Sequence, residues 1–295
     1  MPMLEEIKNI VTKCLNEKSV TGDFYAFSER VFCFRETGVT NLEDTFYEPA
    51  LCLVLQGSKQ TILGERQLRL SAGDTVLISH HVPVRARITN ASETKPYMAL
   101  IVRLDMATIR TFSVEIERVS NHSKVAHSVA SEKADKVLLE TLHRLLAVLS
   151  DPLEAATIGE SVLKELHLRI LQAPHGGMLR QLASHKDMAN RIAKAIQFVR
   201  EHYSESLAVG ILAREAGMSD SAFFQHFRRI TGTSPNKYLK SLRLLKAQSL
   251  LTFEGYTVSA AAYAVGYESA NHFSRDFTKK FGHPPKSAKP VMPSQ

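Results

Sequence analysis

Tryptophan is absent and cysteine is nearly so, with three residues in 295. Cys14, Cys33 and Cys52 are odd in number and lack the paired spacing of a zinc site, so neither a disulfide framework nor a metal staple organises the chain. They fit partly buried thiols in a reducing compartment. Long apolar runs are missing too. No stretch approaches the roughly 20 residues needed to cross a bilayer. The opening MPMLEEIKNIVTKCLNEK is charged throughout and has no apolar centre of the kind a signal peptide needs. The expectation is a cytoplasmic protein with no membrane partner.

Negative charge is what the last third lacks. From Lys186 onward there are 16 Lys and Arg against 8 Asp and Glu, while the first 185 residues carry 21 against 22. The formal net charge of +7 therefore comes from one end of the chain. A solvated basic face does not explain that segregation. A module that neutralises phosphates and releases their counterions does. The length suits about two domains, each with its own core.

The basic third repeats itself. LAVGILAREAGMSDSAFFQHFRRITGTSP is followed by VSAAAYAVGYESANHFSRDFTKKFGHPP. Ala213, Gly217, Phe223, Phe227, Gly232 and Pro235 recur as Ala262, Gly266, Phe273, Phe277, Gly282 and Pro285. The offset is 49 residues up to the turn glycine and 50 from the phenylalanines onward, so the second copy holds one extra residue between Tyr267 and His272. One supersecondary unit is used twice.

Each copy reads as helix, glycine turn, helix. Leu207, Ile211 and Leu212 recur at helical spacing, and Gly217 stops that helix. Ser219 caps the next, whose Phe223, Phe227 and Ile230 face inward. In the second copy Gly266 is the stop, Ser269 the cap, and Phe273, Phe277 and Phe281 face inward. Helical hairpins that merely pack together are the bland alternative. The charge favours a helix-turn-helix, whose second helix enters the major groove.

AREAGMSDSAFFQHFRRITGTSPNKYLKSLRLLKAQSLL and AAYAVGYESANHFSRDFTKKFGHPP resemble the DNA-binding domain of the AraC/XylS family of bacterial transcription regulators, over about residues 187–287. The resemblance implies two helix-turn-helix units, at about 207–230 and 257–281. A long helix from Asn236 to Leu251 joins them, and a helix at 187–202 precedes them. Phe224 departs from the family's usual polar residue, and Ser287-Ala288 from its usual tyrosine-arginine. By family position Ser221, Phe224 and Gln225 reach base edges. On the second recognition helix Ala270, Asn271, His272, Ser274 and Arg275 face outward. Gln225 and Asn271 suit adenine, Arg275 suits guanine, and Phe224 suits a thymine methyl or, alternatively, a contact between domains. Arg228, Arg229, Lys237, Lys240, Lys279 and Lys280 are phosphate candidates, unless simply solvated.

The first part has a different period. Leu4, Ile7, Ile10, Val11 and Leu15 predict an amphipathic helix over residues 3–17. Then VFCFRE, ALCLVLQG, KQTILG, RQLRLSAGDTVLIS, VRARITNA and YMALIVRLD alternate with turn residues, as in an all-β barrel or sandwich. LCLVLQGSKQTILGE, LSAGDTVLISHHVPVRARITNAS and KPYMALIVRLD resemble the N-terminal domain of one AraC-type subgroup, over about residues 25–170. That implies a cupin-like barrel that binds a small effector or mediates dimerisation. A metal cupin needs two His one residue apart, then a carboxylate and a further His. Here His80 and His81 are adjacent and the next His is His122. No metal, cofactor or catalytic residue is expected.

Arg35, Tyr47, Gln56, His80 and Arg103 can face a barrel mouth or serve as surface and inter-strand partners; Arg35 and His80 are the effector-binding candidates. From about Ser131 the period becomes helical. Val137, Leu138, Leu142, Leu145, Leu146 and Leu149 make one stripe. Val162, Leu163, Leu166, Leu168, Ile170 and Leu171 make another beyond the Asp151-Pro152 break. This hairpin covers the barrel or pairs with a second copy. Ala173 to Gly177 begins a linker.

The expected fold class is α+β: a cupin-like β-barrel with a helical hairpin (1–174), a linker (175–185) and an all-α double helix-turn-helix domain (186–295). The expected function is a sequence-specific transcription activator that responds to a small molecule, binds double-stranded DNA, contacts RNA polymerase and forms a homodimer. An effector-independent regulator controlled by abundance, and a cupin enzyme with a nucleic-acid-binding tail, are the alternatives.

Overall fold

A computed structural model describes residues 2–17, 24–119, 127–183 and 188–288. Helix α1 (Pro2–Glu17) leads into β1 (Phe24–Ala26), β2 (Val31–Glu36), β3 (Glu43–Tyr47), β4 (Ala50–Gln56), β5 (Ser58–Leu63), β6 (Arg66–Ser71), β7 (Asp74–Ile78), β8 (Val82–Asn90) and β9 (Tyr97–Arg103). Helix α2 (Met106–Val119), strand β10 (Val129–Lys133), α3 (Lys136–Ser150) and α4 (Pro152–Gln172) follow. After a 3-10 turn (Pro174–Gly176) come α5 (Gly177–Ala183), α6 (Met188–Glu201), α7 (Val209–Glu215), α8 (Asp220–Thr231), α9 (Pro235–Phe253), α10 (Val258–Ala264) and α11 (Ala270–Phe281).

The strands make two antiparallel sheets, in the orders β1-β2-β9-β4-β7-β10 and β3-β8-β5-β6. Which faces are covered explains their sequences. In β8, Val82, Val84, Ala86 and Ile88 point into the space between the sheets while Arg85 and Arg87 face solvent, the alternation of a half-buried strand. Strands β4 and β9 do not alternate, because both of their faces are covered. Ala50, Cys52 and Val54 fill the interior. Leu51, Leu53 and Leu55 instead join a second core with Leu4, Ile7 and Val11 of α1 and the leucines of α3.

Asp151 fixes the α3–α4 hairpin: its carboxylate accepts hydrogen bonds from the backbone N–H of Leu153 and Glu154, and Pro152 occupies the first turn. The second core then runs on through α5 and α6 to α7, α8 and α9.

Five elements were not anticipated: β1, β3, β10, α2 and α5. Ser131, the expected start of the helical region, lies in β10 paired with Val76, and the helix starts at Lys136. The expected linker is also largely helical. Residues 177–183 form α5, and Met178, Leu179 and Leu182 are buried. The glycines at 176 and 177 read as a tether, but apolar burial carries the chain straight into another helix.

Candidate nucleic-acid interface

The two repeat copies close their turns with the same hydrogen bonds. After α7, the N–H of Met218 donates to the carbonyl of Ala213 (2.9 Å) and that of Gly217 to Arg214 (2.8 Å). After α10, Tyr267 donates to Ala262 and Gly266 to Tyr263, both at 3.0 Å. This double bond pattern requires a left-handed residue just past the helix, and Gly217 and Gly266 supply it at φ +59° and +82°. A Cβ on Gly266 would run into the backbone of Ser204, so only glycine fits there. Thus the alanines and glycines of the repeat are the acceptors and turning points of one motif.

The extra residue of the second copy falls between that glycine and the next cap. Ser219 caps α8 by accepting from the N–H of Ala222, and Ser269 caps α11 by accepting from His272, each at 3.4 Å. Phe223 and Phe227 are fully buried with ring centroids 5.3 Å apart, as are Phe273 and Phe277 at 5.5 Å. Burying one face at i and i+4 fixes which residues remain outside. On α8 these are Ser221, Phe224, Gln225, Arg228 and Arg229; Phe224 is 42% exposed. On α11 they are Asn271, His272, Arg275 and Lys279.

Not every candidate is equally free. Ala270 and Ser274 are half-buried, and the Ser274 hydroxyl donates to the Ala270 carbonyl. His272 lies 3.4 Å from Asp276, which also receives the Lys240 ammonium at 2.5 Å and the Tyr267 hydroxyl at 3.2 Å. Lys237 is exposed. Lys280 is withdrawn: its side chain is 12% exposed and pairs with Asp44 of β3 at 2.7 Å.

The Asp44 pair belongs to a broad contact between the barrel and the helical part. The Tyr238 hydroxyl on α9 donates to the His81 carbonyl (2.9 Å), and its ring meets Phe46 edge-on at 5.3 Å. The β5–β6 hairpin reaches the end of α8, where Gly64 packs on Gly232 and Glu65 lies 4.0 Å from Arg228. Gln225, Arg228 and Arg229 share a cavity of about 400 Å³ with Leu63, Glu65 and Arg66.

A second cavity, about 560 Å³, opens between the strand ends and α6, where His80 and His81 meet Arg110, Lys194 and Glu201. His80 is buried there between Ser79 (2.8 Å) and the Ala189 carbonyl of α6 (3.4 Å). Burial pushes its pKa down to about 4, outweighing that carbonyl. His81 falls to about 3, first by burial and then by the Arg200 guanidinium and His80. Arg35 is exposed on the outer side of β2 and lines neither cavity, so the two effector candidates are not brought together.

Sequence reasoning overlooked two arginines that hold the module together. Arg191 donates to the Ala216 carbonyl at the first turn (2.6 Å), and Arg243 to the carbonyls of Tyr203 (2.6 Å) and Glu205 (2.7 Å). Their partners lie 25 to 40 residues away, beyond the reach of local periodicity.

A repeated helix-turn-helix on a basic module, attached to a two-sheet barrel, defines a DNA-binding regulator. Residues 28–178 match the family described as AraC-type transcriptional regulator N-terminus, and residues 212–289 match a helix-turn-helix domain family. The chain belongs to the AraC family of transcription regulators. It is 22% identical over 253 residues to the lactose operon transcription activator of Staphylococcus xylosus, covering 84% of this chain and 87% of that one. It is 25% identical over 160 residues to the transcriptional activator RhaS of Salmonella schwarzengrund, covering 52% of this chain and 55% of RhaS. Its fold is similar to that of wild-type ToxT from Vibrio cholerae, solved with an unsaturated fatty acid bound. The TM-score is 0.57 at 12% identity, covering 87% of this chain and 92% of ToxT. No helix among the described residues is long and apolar enough to cross a membrane.

Proposed function

We propose that this regulator activates transcription by reading promoter DNA with α8 and α11, under the control of a small molecule sensed by the barrel. One observation carries the reading of DNA: in both repeat copies the phenylalanines take the buried face, which leaves polar and cationic side chains outside. Ser221, Phe224 and Gln225 on α8, and Asn271, His272 and Arg275 on α11, are the base contacts. Ala270 and Ser274 support the same face from closer to the core. Arg228, Arg229, Lys237, Lys240, Lys279 and Lys280 hold phosphates. Helix α9, 19 residues and so about 28 Å from end to end, joins the two units, which must present α8 and α11 about one DNA turn, ~34 Å, apart.

Two of those phosphate contacts are engaged by the barrel in this conformation, Lys280 by Asp44 and Arg228 by Glu65. A ligand that favours a barrel geometry without these pairs releases both cations to DNA; it must bind the two geometries unequally to do so. The small ligand of ToxT supports the same role here. His80, at the 560 Å³ cavity, couples the barrel to α6. The chain acts in the cytoplasm, as a homodimer through the α3–α4 hairpin, with RNA polymerase as its partner and without catalysis of its own. Residues up to 174 form the sensing unit and those from 186 the reader.

Selection of genomic fragments by the purified protein tests this. Enrichment of fragments sharing one sequence is expected. Uniform recovery of all fragments, with and without cell extract as a source of effector, overturns it.

A further inference from the structure

Two glycines hold the barrel against the first reading helix. Gly64 in the β5–β6 turn (φ +59°) faces Gly232 past the end of α8 (φ +72°), so that backbone packs on backbone. A Cβ on Gly64 would come 2.7 Å from the Gly232 carbonyl oxygen, closer than such a contact allows. Beside them the Ser128 hydroxyl donates to the Ile230 carbonyl in the last turn of α8. This close approach sets a barrel arginine, Arg66, across the cleft of about 400 Å³ from Arg228 and Arg229 of α8.

The three guanidiniums have little to neutralise them. Among the described residues no carboxylate pairs with Arg66 or Arg229, and the one beside Arg228, that of Glu65, lies 4.0 Å away on a side chain 96% exposed. A pair so open to water contributes little. The last turn of a helix favours cations, which accounts for Arg228 and Arg229 by themselves. It does not account for Arg66, which β6 delivers from the opposite wall. The Arg66 Nη1 donates to the Val129 carbonyl of β10 at 3.2 Å, fixing the side chain at the cleft. Burial holds its pKa below the ordinary arginine value. The neighbouring His127 is lowered as well, by burial first and then by Arg66.

We propose that this cleft is a phosphate-binding site built jointly by barrel and reader, with Arg66 on one wall and Arg228 and Arg229 on the other. A guanidinium fork matches two oxygens of a phosphate, so cations from two directions close on one group. At ~30 Å³ per water, the cleft has room for a phosphate and ordered water about it. Glu65, at the exposed tip of the hairpin, yields Arg228 to the phosphate. The group belongs to the DNA backbone, which the place of the cleft on α8 favours, or to a small phosphate ester that presents the same oxygens. This rests on the reading of α8 as a DNA-contacting helix and adds a residue of the barrel to its contacts.

The test uses the full chain and a selected operator fragment. Affinity is measured over a salt series for wild type, Arg66→Gln and Arg66→Lys. If DNA supplies the phosphate, Arg66→Gln reduces the slope of log affinity against log salt by about one unit, and Arg66→Lys keeps it. Without DNA, inorganic phosphate is titrated calorimetrically against the same proteins. If a small ester is the ligand, the slope stays, and phosphate binds wild type at least about tenfold more tightly than Arg66→Gln. An unchanged slope together with equal or absent phosphate binding overturns the site. A slope reduced as much in Arg66→Lys as in Arg66→Gln overturns it too, because the charge is then not what matters. Arg228→Gln and Arg229→Gln are the reference. A reduced slope in these, with no effect of Arg66→Gln on either measurement, removes the barrel's share alone; unchanged slopes in these remove the DNA contacts of α8 instead.

Discussion

Arg275 and Lys279 lie one helical turn apart on α11, both exposed, yet they carry different information. Arg275 has the planar fork that matches the guanine edge, and Lys279 has a point charge suited to phosphate. Arg275→Ala is expected to cost about 1–3 kcal/mol of operator binding and to relax preference at one base pair. Lys279→Ala should weaken binding evenly on all sequences and reduce the slope of log affinity against log salt by about one unit. Binding measured over a salt series, on operator and single-base variants, separates the two. Identical behaviour of the two variants contradicts the division. At this scale the sequence was informative because Phe273 and Phe277 define an inside and so an outside. It said nothing of Asp44 pairing with Lys280, 236 residues away, which only tertiary packing brings together.

Among the elements, the helix-turn-helix units were legible almost to the residue. Their caps and stops are local chemistry: Ser219 and Ser269 accept from the next turn, and Gly217 and Gly266 adopt a conformation that side chains disfavour. Strands β1 and β10 were not legible, being edge pieces of 3 and 5 residues without a clean alternation. Helix α2 did leave a signal, since Asp105 accepts from Ala107 and Thr108 in its first turn, but it follows β9 without a glycine or proline to mark the change.

The contact between β3 and α11 gives this scale its prediction. Asp44→Asn frees Lys280 and should tighten ligand-free operator binding by up to about fivefold, the reach of a partly exposed ion pair. Adding Lys280→Ala should erase that gain. Unchanged affinity in the single variant means that the pair does not restrain the reader.

Across the whole molecule, the core continuous from barrel to reader makes their docking sensitive to acid. The histidines at the junction are held neutral, His80 at about 4 and His81 at about 3 against the ordinary 6.5. Because both values are lowered by folding, the undocked or unfolded chain binds more protons between those limits. The stabilisation is therefore complete above pH 6.5 and declines as pH falls towards 4. Arg200, which donates to the His81 ring, adds to the dependence at the same place, whereas the Glu48 carboxylate, 4.0 Å from His81, opposes it. Thermal unfolding across pH 7 to 4 should show Tm falling, less steeply in His80→Gln; parallel curves for the two proteins contradict this source of acid sensitivity.

Two reading helices on one stiff connector make a geometric demand on DNA, and hydroxyl-radical footprinting of a selected fragment tests it most directly. The account predicts two protected segments on one face of the duplex, centred about one turn apart, with the second lost in a variant carrying Asn271→Ala and Arg275→Ala. A single protected segment, or two on opposite faces, contradicts it.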